Sequence, residues 1–234
     1  KKRTAYSNFF YLPGGIVYFV IFVVPTALAL FYSFTRWTLF DWEWVGFDNF
    51  RQFFREPALK GGLKNTFIYT FVTSGAKVVL GFALGLLVTS KVRIKGTLRS
   101  FVFFPVLVSA VAVGITFKVL MNPSTGPINQ LIELFGVSGP KWLTDPDIVL
   151  LSVALVDIWK GVGIAMVIFI AGILSVPSEL LEAVSIDGGS AWHRIRHVIL
   201  PMSWPATSTV VILSFIGGLR SFDLIQTMTN GGPG

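Results

Sequence analysis

Six charged side chains, Lys77, Lys118, Asp157, Lys160, Arg220 and Asp223, fall within or at the ends of long apolar stretches of this 234-residue chain. A charge held in hydrocarbon is costly and usually faces a bundle interior or a wet cavity. Lys118, Arg220 and Asp223 lie near stretch ends, where a long side chain can reach the interface. Asp157 and Lys160 are deeper and about one helical turn apart, so they can pair on one face that Gly161 and Ile164 continue. Two roles fit them: an ion pair holding helices in register, or a place on a solute pathway. Further along, Ser214, Gly217, Gly218 and Ser221 recur at helical spacing. Such a stripe permits close helix packing, and it would also leave room and hydroxyls for a polar solute.

Catalytic chemistry finds no support. His193 and His197 are spaced like a helical metal pair, but no acidic third ligand stands near them and no His-Glu-x-x-His pattern exists. The chain has no Cys, which excludes a disulfide framework, a thiolate metal site and a Cys nucleophile. No GxxxxGK[ST] phosphate loop is present, so this chain does not hydrolyse ATP by that route.

The elements that must carry these residues are membrane spans. The chain is 53% hydrophobic and 13% charged, with 22 Phe and 7 Trp, against roughly one-quarter charged in a soluble domain. Five stretches are long enough to cross about 30 Å of hydrocarbon: Leu12–Phe34, Thr66–Val88, Phe101–Leu120, Val149–Leu174 and Trp204–Leu224. The first follows Lys1-Lys2-Arg3 but is too long for a signal core and has no small-residue cleavage site, so it is read as a retained span. Lys91, Arg93, Lys95 and Arg99 form a compact cluster between the second and third stretches, whereas Arg36, Arg51, Arg55, Lys60 and Lys64 are mixed with acids. The positive-inside bias therefore puts the N-terminus in the cytoplasm, and a net charge of +7 suits anionic headgroups better than nucleic acid. In the first outer loop Phe47, Phe50 and Phe54 fit one face of a short helix at the membrane surface, an interfacial anchor before a docking site. The second outer loop, 122–147, predicts a short helix at Ile128–Phe135.

One inner loop does more than connect. Pro177 to Pro201 begins with Pro at a first helical position and Glu179 and Glu182 near the positive end of the dipole. Leu180, Leu181, Val184 and Ile186 give an apolar flank, and Gly188-Gly189 supplies a break. A short amphipathic helix parallel to the membrane suits docking of something soluble.

The segment resembles the EAA motif of permease subunits in bacterial ATP-binding cassette importers. Glu182, Ala183, Asp187, Gly188, Leu200 and Pro201 match that motif, with Val184, Gly189 and Val198 as small departures. Thr229-Asn230-Gly231-Gly232-Pro233 is similar to the turn after the fifth core span of carbohydrate importers. The resemblance implies an all-α polytopic bundle of the type I importer permease class, with five of six spans present and a cytoplasmic coupling helix. It divides the chain into residues 1–65, a first span and outer interfacial loop, and 66–234, a permease core cut before its last span. The missing initiator Met and the end at Gly234 agree with a partial chain.

By the same resemblance the chain is a sugar-importer subunit working by alternating access. It implies a second permease, two ATPase subunits carrying ATP and Mg, and an extracytoplasmic sugar-binding protein, with no cofactor in this chain and no nucleic-acid partner. Glu182, Ala183, Asp187, Gly188, Leu200 and Pro201 are the implied ATPase-coupling residues, with Ser178–Ala191 receiving the push. Counted from that motif, Asp157, Lys160, Gly161, Ile164, Ser214, Gly217, Gly218 and Ser221 fall at cavity-lining positions. An acid and a lysine depart there from the family's neutral groups. The alternatives are an ion-coupled secondary transporter using Asp157 and Lys160, which leaves the Glu182 segment unexplained and would need inverted repeats, or an importer of a non-carbohydrate solute such as glycerol phosphate.

Overall fold

A computed structural model describes residues 8–38, 40–90 and 93–232. Lys1, Lys2, Arg3 and Lys91 of the orientation argument, and Pro233 and Gly234 of the terminal turn, lie outside the described residues. The chain forms two compact units, Lys1–Lys64 and Asn65–Gly234.

The first unit opens with α1, Phe9–Ser33, long and apolar enough to cross a membrane, with no residue of its most apolar window buried. Side chains such as Phe9, Ile16 and Ile21 are well exposed, as a surface meant for a non-aqueous neighbour must be. After α1 comes a hairpin that the sequence reading lacks: β1, Thr35–Trp37, pairs antiparallel with β2, Trp42–Trp44, in the register Thr35↔Trp44. Phe34 stacks on Trp44 at 5.7 Å and meets Phe47 edge-on at 5.4 Å. Asn49 Nδ2 donates to Ser33 O and Thr35 O at 3.0 and 2.9 Å, fastening the next helix, α2, Asp48–Arg55, to the end of α1. A short helix is therefore present where one was expected, with Phe47 just before its first residue.

The second unit begins within α3, Pro57–Thr89, and continues with α4, Lys95–Leu107; α5, Ala110–Leu120; α6, Pro127–Glu133; α7, Val149–Leu174; α8, Ser178–Ile186; α9, Ala191–Met202; α10, Trp204–Leu219; and α11, Asp223–Thr229. The second and fourth apolar stretches are continuous helices, α3 and α7. The third is broken, and the fifth is one helix, α10, only as far as Leu219. The chain bends by 98° between α4 and α5 and by 67° between α9 and α10. At the first bend Val108 is extended and Ser109 caps α5, its hydroxyl accepting from Ala112 N–H at 3.1 Å. At the second, Pro201 and Pro205 flank Ser203, and each removes a donor the helix ladder would use. The expected span Trp204–Leu224 therefore begins just after this bend, as the single helix α10, and stops at Leu219, short of Leu224.

Two apolar cores hold this unit. One gathers Tyr69, Val113, Met121, Val153, Val156, Leu224 and Met228; the other gathers Ala165, Phe169, Ile173 and Val210. Small residues set the approach of α3 to α7: a Cβ at Gly81 would fall 2.6 Å from Ala165 Cβ. The α6 region is pinned by Asn129, 2% exposed. Its Nδ2 donates to Pro123 O and Pro140 O at 3.0 and 3.2 Å, and its Oδ1 accepts from Trp142 Nε1 at 2.7 Å. The helix covers Pro127–Glu133, slightly ahead of the span expected from sequence.

Candidate functional site

Two clusters of residues with chemical potential stand apart in the second unit. The first is built on α8. Pro177 has ψ of 133°, so it precedes the helix as its cap residue and does not occupy the first helical position expected for it. At the other end Gly188 adopts φ +76°. Gly189 N–H bonds Val184 O at 2.8 Å and Gly188 N–H bonds Ser185 O at 3.2 Å. These are the paired bonds of a Schellman stop, which places a left-handed residue after the helix. Ser190 then starts α9 as its cap, its Oγ 2.8 Å from His193 Nδ1. Glu182, Ala183, Asp187 and Gly188 are exposed, and Leu200 and Pro201 are exposed at the end of α9. On the apolar flank Leu180 is 42% and Ile186 86% exposed. The helix thus offers a carboxylate and uncovered apolar side chains together.

His193 and His197 lie on α9 with rings stacked 5.7 Å apart. Among the described residues no group of three or more His, Cys, Asp or Glu side chains could hold a metal ion.

The second cluster lies between α3, α7 and the end of α10. Asp157 Oδ2 accepts from Lys77 Nζ at 2.7 Å, with the two side chains 18% and 9% exposed. Asp157 therefore takes a partner from another helix, not Lys160 as the one-turn spacing suggested. Gly161 explains how: a Cβ there would stand 2.7 Å from Lys77 Cε, so the glycine is the gap through which the lysine stem passes. Tyr69, 1% exposed, has its hydroxyl 3.2 Å from Ser221 Oγ and also interacts with the Asp157 carboxylate. Asp157, Gly161 and Ser221 thus meet around Tyr69 and Lys77. Tyr69 is not among the residues the sequence points to, and Lys77 stands there as an intramembrane charge without a named partner. The signal was there, since Tyr69, Thr73 and Lys77 recur every four residues on an apolar helix and are all buried.

The remaining expected cavity residues divide. Gly217 has open space around it, Ser214 is half-buried, Lys160 is half-buried, and Ile164 is 45% exposed. Gly218 is buried, and a Cβ there would meet Thr70 Cα at 2.9 Å, so this glycine is a helix-packing contact against α3. Ser221 lies beyond Leu219, in the break before α11, and does not continue the α10 face as expected.

Near the chain's end, Asn230 is left-handed at φ 56° and its Oδ1 accepts from Lys118 Nζ at 3.2 Å. Lys118 is thereby anchored to the Thr229–Gly232 turn. The pair borders a cavity of ≈ 230 Å³ that Asn122, Thr144 and Met228 also line.

The family described as binding-protein-dependent transport system inner membrane component matches residues 77–234, a stretch that begins at Lys77, after Tyr69, and runs through Asp157 and α8 to the terminal turn. The chain belongs to this family. The arabinooligosaccharides transport system permease protein AraP of Bacillus subtilis is 30% identical over 100% of this chain and 75% of its own length. The trehalose/maltose transport system permease protein MalF of Thermococcus litoralis is 29% identical over 95% of this chain and 76% of its own. In fold, a bacterial ABC transporter involved in import of the acidic polysaccharide alginate superposes with TM-score 0.79 at 21% identity, over 94% of this chain and 79% of that one. This inner membrane component is therefore an all-α, multi-pass permease, a transport subunit and not an enzyme.

Proposed function

We propose that this permease forms half of the translocation pathway of an ATP-driven, binding-protein-dependent carbohydrate importer in the bacterial cell membrane. The names of the Bacillus and Thermococcus relatives support a carbohydrate as cargo. The observation that carries the mechanism is α8: an exposed helix, closed by the left-handed Gly188, that presents Glu182 with Leu180 and Ile186 uncovered beside it. Such a helix suits a groove on a separate ATPase subunit carrying ATP and Mg, with the Glu182 carboxylate meeting a basic group in a charge-assisted contact. A second permease completes the pathway, and an extracytoplasmic binding protein delivers the sugar. The N-terminus and α8 lie on the cytoplasmic side in this reading, and residues 1–65 act as an interfacial appendage to a core of 66–234.

Within the bundle, Asp157, Lys160, Gly161, Ile164, Ser214, Gly217 and Ser221 border the solute pathway, and Lys77 and Tyr69 position Asp157 and Ser221. Gly218 supports the wall from behind by letting α10 approach Thr70. The ion-coupled alternative needs a carboxylate free to take an ion, and Lys77 already holds Asp157.

The test is reconstitution. The four-subunit complex with its binding protein should take up sugar on ATP addition, and the permease pair without ATPases should hydrolyse no nucleotide. Accumulation by the permeases alone on a proton or sodium gradient would refute the proposal.

A further inference from the structure

We propose that Lys160 selects charge in this pathway and favours a carbohydrate bearing an anionic group, a carboxylate, phosphate or sulfonate; the proposal rests on the reading that α7 borders the solute path. The charges seen from sequence do not combine as their spacing suggests. Asp157 is committed to Lys77 at 2.7 Å, and Gly161 leaves the gap that commitment requires. A locked pair cancels at a distance. Among the described residues no carboxylate pairs with Lys160, so its ammonium is the charge left over on α7.

Its position gives that charge a use. At 1.5 Å per residue, Lys160 stands about 17 Å from one end of α7 and about 21 Å from the other, further than a four-carbon stem reaches to an interface. It lies on the helix strip that continues through Ile164, Val167 and Ala171, all exposed, and away from Val162, Met166 and Phe169, which are buried. A mid-membrane ammonium on an open strip requires water or an anion. Neutral hydroxyls alone do not require a lysine there, whereas an anionic sugar gains a charge-assisted hydrogen bond.

The chain has no cysteine, so a single thiol can report the local potential. Ile164→Cys, one turn from Lys160, is placed in the assembled complex in lipid nanodiscs. It is then labelled with a sulfonate-bearing and with a trimethylammonium-bearing methanethiosulfonate, and labelling of this chain is read by mass spectrometry. The sulfonate reagent should react faster, and K160M should lower the sulfonate-to-ammonium rate ratio by about tenfold, the scale of one charge at short range in a partly hydrated site. Lys77→Met, which frees the Asp157 charge, should also lower the ratio, and K77M/D157N should restore it. Equal reactivity of the two reagents, or a ratio indifferent to K160M, overturns the assignment, since it means that a carboxylate of the second permease or distance has silenced Lys160. No labelling by either reagent has a different meaning: position 164 then faces lipid, and the pathway reading of α7 itself falls, taking the charge assignment with it.

Discussion

Lys77 Nζ and Asp157 Oδ2 form a largely buried ion pair between α3 and α7 at 2.7 Å. Spacing makes Asp157–Lys160 the natural pair, because residues three apart on a helix superpose. Only tertiary packing brings Lys77, 80 positions earlier, to 2.7 Å, through a gap that Gly161 leaves. Breaking a pair this buried strands the other charge, so Lys77→Met should destabilise the complex by about 3–5 kcal/mol, and K77M/D157N should recover much of the loss. Thermal unfolding of the purified complex measures both, and additive losses would mean that the two side chains are not coupled. Gly218 lets α10 pack closely on α3. Its small size reads equally as cavity or as packing, and Thr70 at 2.9 Å from its would-be Cβ decides for packing. Gly218→Leu should therefore reduce assembled complex, seen as loss of the size-exclusion peak, whereas Ser221→Ala, which removes one hydrogen bond to Tyr69, should cost about 0.5–1.5 kcal/mol and leave assembly intact. Gly188 was legible from sequence, since a break after an amphipathic turn asks for a left-handed residue, and φ is +76°. Its replacement by Ala should cost about 1–2 kcal/mol, read as impaired ATPase–transport coupling with normal membrane insertion.

At the scale of elements, hydropathy identified where helices lie and failed to show where they bend. Val149–Leu174 is a single uninterrupted helix with the bounds its apolar run predicts. The runs 101–120 and 204–224 are also apolar enough to be read as spans, and hydrophobicity says nothing about an extended Val108 or a cap at Ser109. Proline was visible at 105, 201 and 205, but spans tolerate it when neighbours satisfy the freed carbonyls, so its presence alone does not predict a 98° turn. The β1–β2 hairpin escaped for another reason. Its strands hold only three residues each, and Trp at 37, 42 and 44 also fits an interfacial belt. Asn129 illustrates how a short helix is held where periodicity is weak. It satisfies two carbonyls and one indole N–H, and leaving such groups unpaired costs about 1–3 kcal/mol each. Asn129→Ala should make the 122–147 segment markedly more sensitive to limited proteolysis, while α3 and α7 remain protected.

For the whole molecule, the family match across residues 77–234 joins two features that sequence and structure reach separately, a polar cluster within a helical bundle and an exposed helix outside it. The exposed helix was legible because its pattern is local: Glu182, the apolar flank and the glycine break lie within a dozen residues. The polar cluster was only half legible because it draws on three helices far apart in sequence. The role proposed for α8, transmitting ATPase work to the bundle through Glu182, can be checked by measuring ATP hydrolysis and sugar uptake together in proteoliposomes carrying E182A. The variant permease should remain in the membrane while uptake falls at least tenfold relative to ATP hydrolysis, or the ATPase subunits should dissociate. Uptake at the wild-type rate with the wild-type ratio of ATP to sugar would contradict it.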